Sequence, residues 1–319
     1  MNMAMIQQEA LRLRASQAAR MDAFLGSPSV VVAFVSPTGI AHRLLSVTDA
    51  QRAYVLSGKG PFASQAPGAD KRAAALLKEA MVRTYPGLSA SYLVLGDGGF
   101  TDPKGLWTAP SLLASDSVNG NHAPVDLQFE LTPPESRELA EHLRWLGTVR
   151  PAIDSLDGRE IGVPPVKALA APRTRRLRSV GTSSELADAA LAVVQEATES
   201  VWLTASTIRS KGFAADLAKL VMDRSINIRC ILADTVEASE LAKAYPAWEV
   251  LVCPGMEANT LLADAKSAPA ALVGSINWMN RPVDNQLALA LPLTVDDPRI
   301  RLIHEIWDIF APMCARAVY

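Results

Sequence analysis

The sequence predicts an α/β C-terminal half and a smaller α+β N-terminal domain. Three observations carry this. From Val180 onward, helix-spaced segments alternate with short apolar runs. Residues 125–131 alternate apolar and polar side chains just ahead of a helical pattern. Between these halves, residues 151–179 lose periodicity and hold several prolines. A chain of 319 residues is long enough for two cores. We therefore place an N-terminal domain at 1–150, a Pro/Arg-rich linker at 151–179 and the α/β domain at 180–319. No repeat of short solenoid period is visible.

Met1 to Arg20 mixes apolar residues with Gln, Glu and Arg and reads as an amphipathic helix. Val30 to Val35 is a β-branched run stopped by Ser36-Pro37-Thr38-Gly39, a strand and a turn, with His42 to Val47 as a possible partner strand. Asp70 to Arg83 has helical spacing and ends at Pro86-Gly87. Tyr92 to Leu95 is a strand, and the alternation Val125 to Leu131 is another. Thr132 before Pro133-Pro134 starts a helix to about Val149.

In the second half, Thr182 or Ser183 caps a helix to Thr198, followed by the strand Val201–Ser206. A helix at Phe213–Asp223, a strand at Ile226–Ala233 and a short helix at Ala238–Ala244 come next. Strands follow at 248–253, 260–263, 270–273 and 286–291, and the helix Ile300–Phe310 closes the chain. Apolar strands between helices imply a sheet covered on both faces.

Hydrophobic residues make up 49% and charged residues 20% of the chain, which excludes wholesale disorder. The net charge of -2 conceals an asymmetry. Residues 180–319 hold 11 Lys+Arg against 17 Asp+Glu, whereas residues 1–179 hold 20 against 16. Cys230, Cys253 and Cys314 are spaced too widely along the chain for a zinc motif or a disulfide framework. No apolar run approaches the roughly 18 residues of a membrane span. These features predict a cytoplasmic protein with no membrane partner.

The chemistry-bearing stretch is Ala271-Leu272-Val273-Gly274-Ser275-Ile276-Asn277-Trp278-Met279-Asn280-Arg281. With its lead-in of alternating helices and strands, it resembles a single lobe of the phospholipase D superfamily. That resemblance implies a His-x-Lys-x4-Asp segment ahead of Gly-Ser-x-Asn. It also implies a nucleophilic histidine, and lysines and asparagines that neutralise phosphoryl oxygens. With Asp264 as the aspartate, the histidine position is Glu257 and the lysine position Asn259; the later acidic position is Gln286. Only His42, His122, His142 and His304 exist, and none is followed two residues on by lysine. The resemblance therefore implies a catalytically degenerate lobe, with Glu257, Asn259, Asp264, Ser275, Asn277 and Gln286 at the former site. Ser275 and Asn277 are expected to fix the turn after their strand.

Three readings of function follow. The first is a non-catalytic subunit that dimerises or docks on other protein subunits, in a nucleic-acid-processing or anti-phage assembly. The second is a DNA- or RNA-binding module using Arg173, Arg175, Arg176 and Arg178, four arginines in six residues. The third is a metal-dependent phosphodiesterase with Glu257 and Asp264 as a carboxylate pair. His122 and Asp126 lie four apart, but on a loop and then a strand, which is poor metal-ligand spacing. The first reading calls for no catalytic residue, metal or cofactor.

Overall fold

The structure, a computed structural model, describes residues 2–58, 71–78, 80–85, 88–114, 123–148, 176, 178–180, 183–208, 212–275 and 288–317. The N-terminal half runs α1 (Met3–Leu25), β1 (Val31–Ser36), α2 (Arg43–Val47), β2 (Arg52–Ser57), α3 (Lys71–Lys78), β3 (Met81–Thr84), β4 (Tyr92–Gly96), β5 (Lys104–Trp107), α4 (Pro110–Ala114), β6 (Phe129–Glu130) and α5 (Pro133–Thr148). Its six strands are ordered β3-β2-β1-β4-β5-β6. The first three are parallel and the rest antiparallel.

The C-terminal half begins with β7 (Arg178–Val180) and α6 (Ser183–Glu196). It continues through β8 (Ser200–Ala205), α7 (Phe213–Val221), β9 (Asn227–Leu232), α8 (Thr235–Ala244), β10 (Glu249–Val252), β11 (Asn259–Ala263), β12 (Ala270–Gly274), β13 (Ala288–Leu293), α9 (Ile300–Phe310) and β14 (Ala315–Arg316). The sheet order is β14-β10-β9-β8-β11-β12-β13-β7. Without its two edge strands this is the N-terminal arrangement again, with the same parallel trio and the same antiparallel continuation. The chain is thus two lobes of one topology.

Several sequence expectations change here. His42–Val47 is not a partner strand: Arg43–Val47 is a helix whose Leu44 and Leu45 are fully buried. A parallel β1–β2 pair needs a crossover between the strands, and α2 lies on that connection. The helix predicted over Asp70–Arg83 ends at Lys78, and Met81–Thr84 pairs with β2, with Val82 and Thr84 buried and Met81 and Arg83 half-buried. The alternating segment 125–131 is a strand only at Phe129–Glu130, because Val125 bridges to the other lobe instead. The linker predicted to end at Ser179 stops earlier, since Arg178–Val180 pairs with β13. Cys253 and Cys314, distant in sequence, are brought opposite each other where β10 meets β14. Their hydrogen bond and the burial of Cys253 push its thiol pKa up.

Each sheet has two apolar faces. In the N-terminal sheet, Val32, Phe34, Leu93 and Leu95 pack with α2, α3, α4 and the end of α1. In the C-terminal sheet, Val201, Leu203, Leu261 and Leu272 pack with α6, α7 and α8. The remaining faces form one shared core. Val31, Ala33, Val35, Tyr92, Val94 and Trp107 of the first lobe join Trp202, Ile231, Leu262 and Val273 of the second. Helices α5 and α9 contribute Leu139, Leu143 and Leu146, and Ile303, Trp307 and Phe310, to the same core. This face of each sheet is therefore covered within the chain.

An ion cluster pins the two middle helices together. Arg299, at the N-terminus of α9, forks onto both carboxylate oxygens of Glu135 in the first turn of α5, at 2.7 Å each. Asp297 takes the other side of the guanidinium at 2.6 and 2.8 Å, and the group lies 5.4 Å from the Phe129 ring centroid. Burial works to raise the pKa of both carboxyls, but the Arg299 hydrogen bonds outweigh it and hold them below the ordinary range. Arg299→Met leaves two nearly buried carboxylates unpaired and is expected to cost about 3–5 kcal/mol. A carboxyl with a depressed folded-state pKa stabilises the fold above its unfolded value, and that contribution is lost as pH falls through the folded value. Denaturation of the two proteins across pH should therefore show a gap at neutral pH that closes in acid. A gap of constant size would contradict this account.

Candidate functional site

A cleft of about 310 Å³ opens between the lobes. It is lined by Ser91, Trp107, Thr108, Pro110 and Asp126 of the first lobe and Ser206, Glu257, Asn259, Gly274 and Ser275 of the second. Both lobes thus supply equivalent elements, the ends of β4 and β5 facing those of β11 and β12.

One backbone junction sets the geometry. Val125 donates its N–H to the Gly255 carbonyl at 2.8 Å and accepts from Glu257 and Ala258 N–H at 2.9 and 3.0 Å. This parallel bridge fixes Asp126 and Glu257, one from each lobe, at the same cleft. Gln17 of α1 donates to the Asp126 carbonyl at 2.7 Å and holds the segment from behind. Gly255 has φ +86°, and a Cβ there would sit 3.2 Å from the Ala123 carbonyl oxygen. Gly255→Ala is therefore expected to strain the junction and destabilise the protein by about 1–3 kcal/mol. An unchanged melting temperature would show that the junction tolerates the side chain.

The electrostatics are acidic with one countercharge. Burial lifts the Asp126 carboxyl to about 7, with the Glu257 charge adding to the shift and a hydrogen bond from Leu127 N–H opposing it. Glu257 reaches solvent at the lip, yet loss of surrounding water still raises its pKa, against the pull of Arg14. Arg14 is a buried side chain of α1; burial lowers its pKa and the Glu257 charge opposes that. A carboxyl with a raised folded-state pKa costs stability once pH passes its unfolded value, and the cost is complete above the folded value. Asp126→Asn is therefore expected to be at least as stable as wild type at pH 8, with its advantage shrinking towards about pH 4. Melting curves of the pair across that range check the sign.

Of the residues singled out from sequence, Glu257, Asn259 and Ser275 meet at this cleft. Ser275 Oγ accepts from Leu289 N–H at 2.9 Å and ties the end of β12 to β13. Asp264 lies elsewhere. It follows β11 whereas Glu257 precedes it, so the rise of an extended strand separates them by about 20 Å. The Asp264 carboxylate accepts from the N–H groups of Thr198, Glu199 and Ser200 and from the Thr198 hydroxyl, which locks the turn between α6 and β8. Those bonds overcome desolvation and lower its pKa. The proposed Glu257–Asp264 metal pair is thus corrected: the two carboxylates cannot share an ion. Among the described residues no group of three or more His, Cys, Asp and Glu is placed to hold one.

Asn277, Gln286, Arg173 and Arg175 lie outside the described residues. Arg176 N–H bonds the Glu138 carboxylate at 2.9 Å, and Arg178 belongs to β7. His142 is buried and paired. Its Nδ1 lies 2.8 Å from the Tyr92 hydroxyl, and burial pushes its pKa down to about 3, so it is neutral. His42, His142 and His304 do not line the cleft, and His122 lies outside the described residues. β4, the counterpart of β11, follows Leu88-Ser89-Ala90-Ser91 and contains neither histidine nor lysine.

Sequence reasoning missed Asp126 as a partner of Glu257, and missed Ser91 and Arg14. Arg14 had a signal. It falls on the apolar stripe Ile6, Ala10, Gln17, Met21 of α1, where a charge needs a partner.

The whole chain is similar in structure to the phosphatidylserine synthase of Haemophilus influenzae, at 8% identity and a TM-score of 0.61, covering 95% of this chain and 86% of that one. The fold is phospholipase D-like. A polyphosphate kinase from Porphyromonas gingivalis matches at 13% identity with a TM-score of 0.54, over 91% of this chain and 44% of its own. The chain thus spans less than half the length of that kinase. Nuc from Salmonella typhimurium, a phospholipase D family member, aligns at 10% identity over 45% of this chain and 98% of its own, with a TM-score of 0.36. No protein-family model and no curated protein matches the sequence. The phospholipase D-like fold extends over both lobes and is not confined to the C-terminal half. No helix among the described residues is long and apolar enough to cross a membrane.

Proposed function

We propose that this protein is a non-catalytic, two-lobed phospholipase D-like subunit that acts by binding, within an assembly of protein chains. The observation that carries the reading is the content of the cleft. A phosphodiester entering it meets Asp126 and Glu257, two carboxylates that repel it, and among the described residues no imidazole lines the cleft to attack phosphorus. The lysine position of the second lobe holds Asn259, whose amide donates to the Glu257 carbonyl at 3.0 Å. Removing the nucleophile and reversing the local charge act against the same chemistry.

Association with other chains is assigned to outer surfaces, because the face by which one lobe pairs with another is filled inside the molecule. The bacterial nucleic-acid-processing or anti-phage setting comes from the superfamily resemblance. Purified protein is expected to show no turnover of bis-p-nitrophenyl phosphate, DNA or phospholipid above buffer, with or without magnesium. Turnover that disappears in Glu257→Ala would overturn the reading. Light scattering of the purified chain should show one two-lobed copy, because its pairing face is already occupied.

A further inference from the structure

We propose that the interlobe cleft is a binding site for an organic ammonium group, held between Asp126 and Glu257. The inference rests on the non-catalytic reading of the same cleft and adds what it binds.

Charge comes first. Asp126 and Glu257 face one cleft, and Arg14 is set against Glu257. With both carboxylates ionised, the described residues lining the cleft supply no cation beyond Arg14, and one negative charge exceeds what Arg14 offsets. The second observation is independent of the acidic pair. Ser91 lines the cleft and is only 4% exposed, and its buried Oγ has no hydrogen-bond partner among the described residues. Asn259 Oδ1 is also buried and has no partner among the described residues, and the amide nitrogen of that side chain is turned to the Glu257 carbonyl. Buried polar atoms without partners are rare and call for a ligand or water.

The kind of group missing can be read from these atoms. Carboxylates and an amide oxygen accept hydrogen bonds, and a serine hydroxyl can accept as well as donate. The ligand must therefore donate several hydrogen bonds and carry positive charge. An ammonium group, with three donors on one compact cation, meets that requirement. A phosphate meets neither condition. A divalent ion needs about six oxygen ligands, and among the described residues the cleft offers it two carboxylates. The other walls, Trp107, Thr108, Pro110, Ser206 and Ser275, are uncharged and leave room for the carbon chain that carries the amine.

Binding is linked to pH through Asp126. The charged groups around it are Glu257 and Arg14 on the cleft side and Arg20 and Glu305 in the small hollow behind it. A cation favours the ionised carboxyl, so ammonium binding tightens as pH rises through neutrality.

Calorimetric titration of the full chain tests the proposal. The probes are 1,4-diaminobutane, a capped Gly-Lys-Gly peptide and its norleucine counterpart. Both amines are expected to bind, with affinity about tenfold weaker in Asp126→Asn or Glu257→Gln and several-fold stronger at pH 8 than at pH 6. Tighter binding of the diamine assigns the site to a free amine, and tighter binding of the lysine peptide assigns it to a basic side chain of a partner; either supports the proposal. Equal binding of the norleucine peptide, unchanged affinity in both variants, or no heat from either amine would overturn it. Asp126→Asn removes a carboxyl that is costly to ionise, so it should fold, and its melting curve verifies that. Phosphodiester turnover would overturn the non-catalytic reading separately, whatever the amine titration shows.

Discussion

Each lobe builds a sheet that is apolar on both faces but has helices of its own to cover only one of them fully. This imbalance governs the rest of the molecule. Val31, Ala33, Val35, Trp202, Leu262 and Val273 would otherwise face water, at a cost of about 25 cal/mol per Å² of apolar surface. Burying the two faces against each other, with α5 and α9 between them, removes that exposure in one step. It also explains why the chain is two lobes and not one lobe with an unrelated neighbour. The covering partner repeats the topology of the lobe it covers.

Once the lobes are fused through this core, polar groups at its margin must be satisfied in place. Arg299, Glu135 and Asp297 do so where α5 and α9 begin, and a buried ion cluster of this kind fixes orientation more than it adds net stability. The Val125–Met256 bridge does the same at the cleft, using backbone groups. Apolar burial supplies the attraction between lobes; these polar junctions choose the angle and register at which they meet. The cleft is a product of that register, because Asp126 and Glu257 flank the bridge on opposite strands.

The C-terminal lobe was legible in the sequence nearly element by element. Its strands are continuous apolar runs bounded by clear helices, and Val201–Ala205 or Ile228–Leu232 admit few other readings. The N-terminal lobe was harder for physical reasons. Its β2 mixes Arg52, Tyr54 and Ser57 with apolar residues, β3 and β5 are four residues each, and α2 is five. Segments that short carry too little periodicity to be told apart, and tertiary burial decides them. The doubling of the topology left no trace in short-period repeats, since one lobe spans about half of the chain. At the site, Glu257 and Asn259 were visible through the Gly-Ser-x-Asn spacing. Asp126 was not, because its proximity to Glu257 exists only after the lobes meet.

The substitutions in the cleft are physically coupled. An imidazole nucleophile facing a phosphodiester needs cations beside it to hold the phosphoryl oxygens. On the proposed reading, Asn259 stands at the lysine position and β4 contains no lysine, so neither supplies that support. Arg14 limits the electrostatic cost of the Glu257 carboxylate. Asp126 adds a second acid on the opposite lobe, and burial, with the Glu257 charge adding to it, lifts its carboxyl to about 7. On the proposed reading, a site arranged this way favours cations over anions. The lobe fusion that formed the cleft needs no change to permit it, because the shared core and the Arg299 cluster hold the lobes together independently of what the cleft contains.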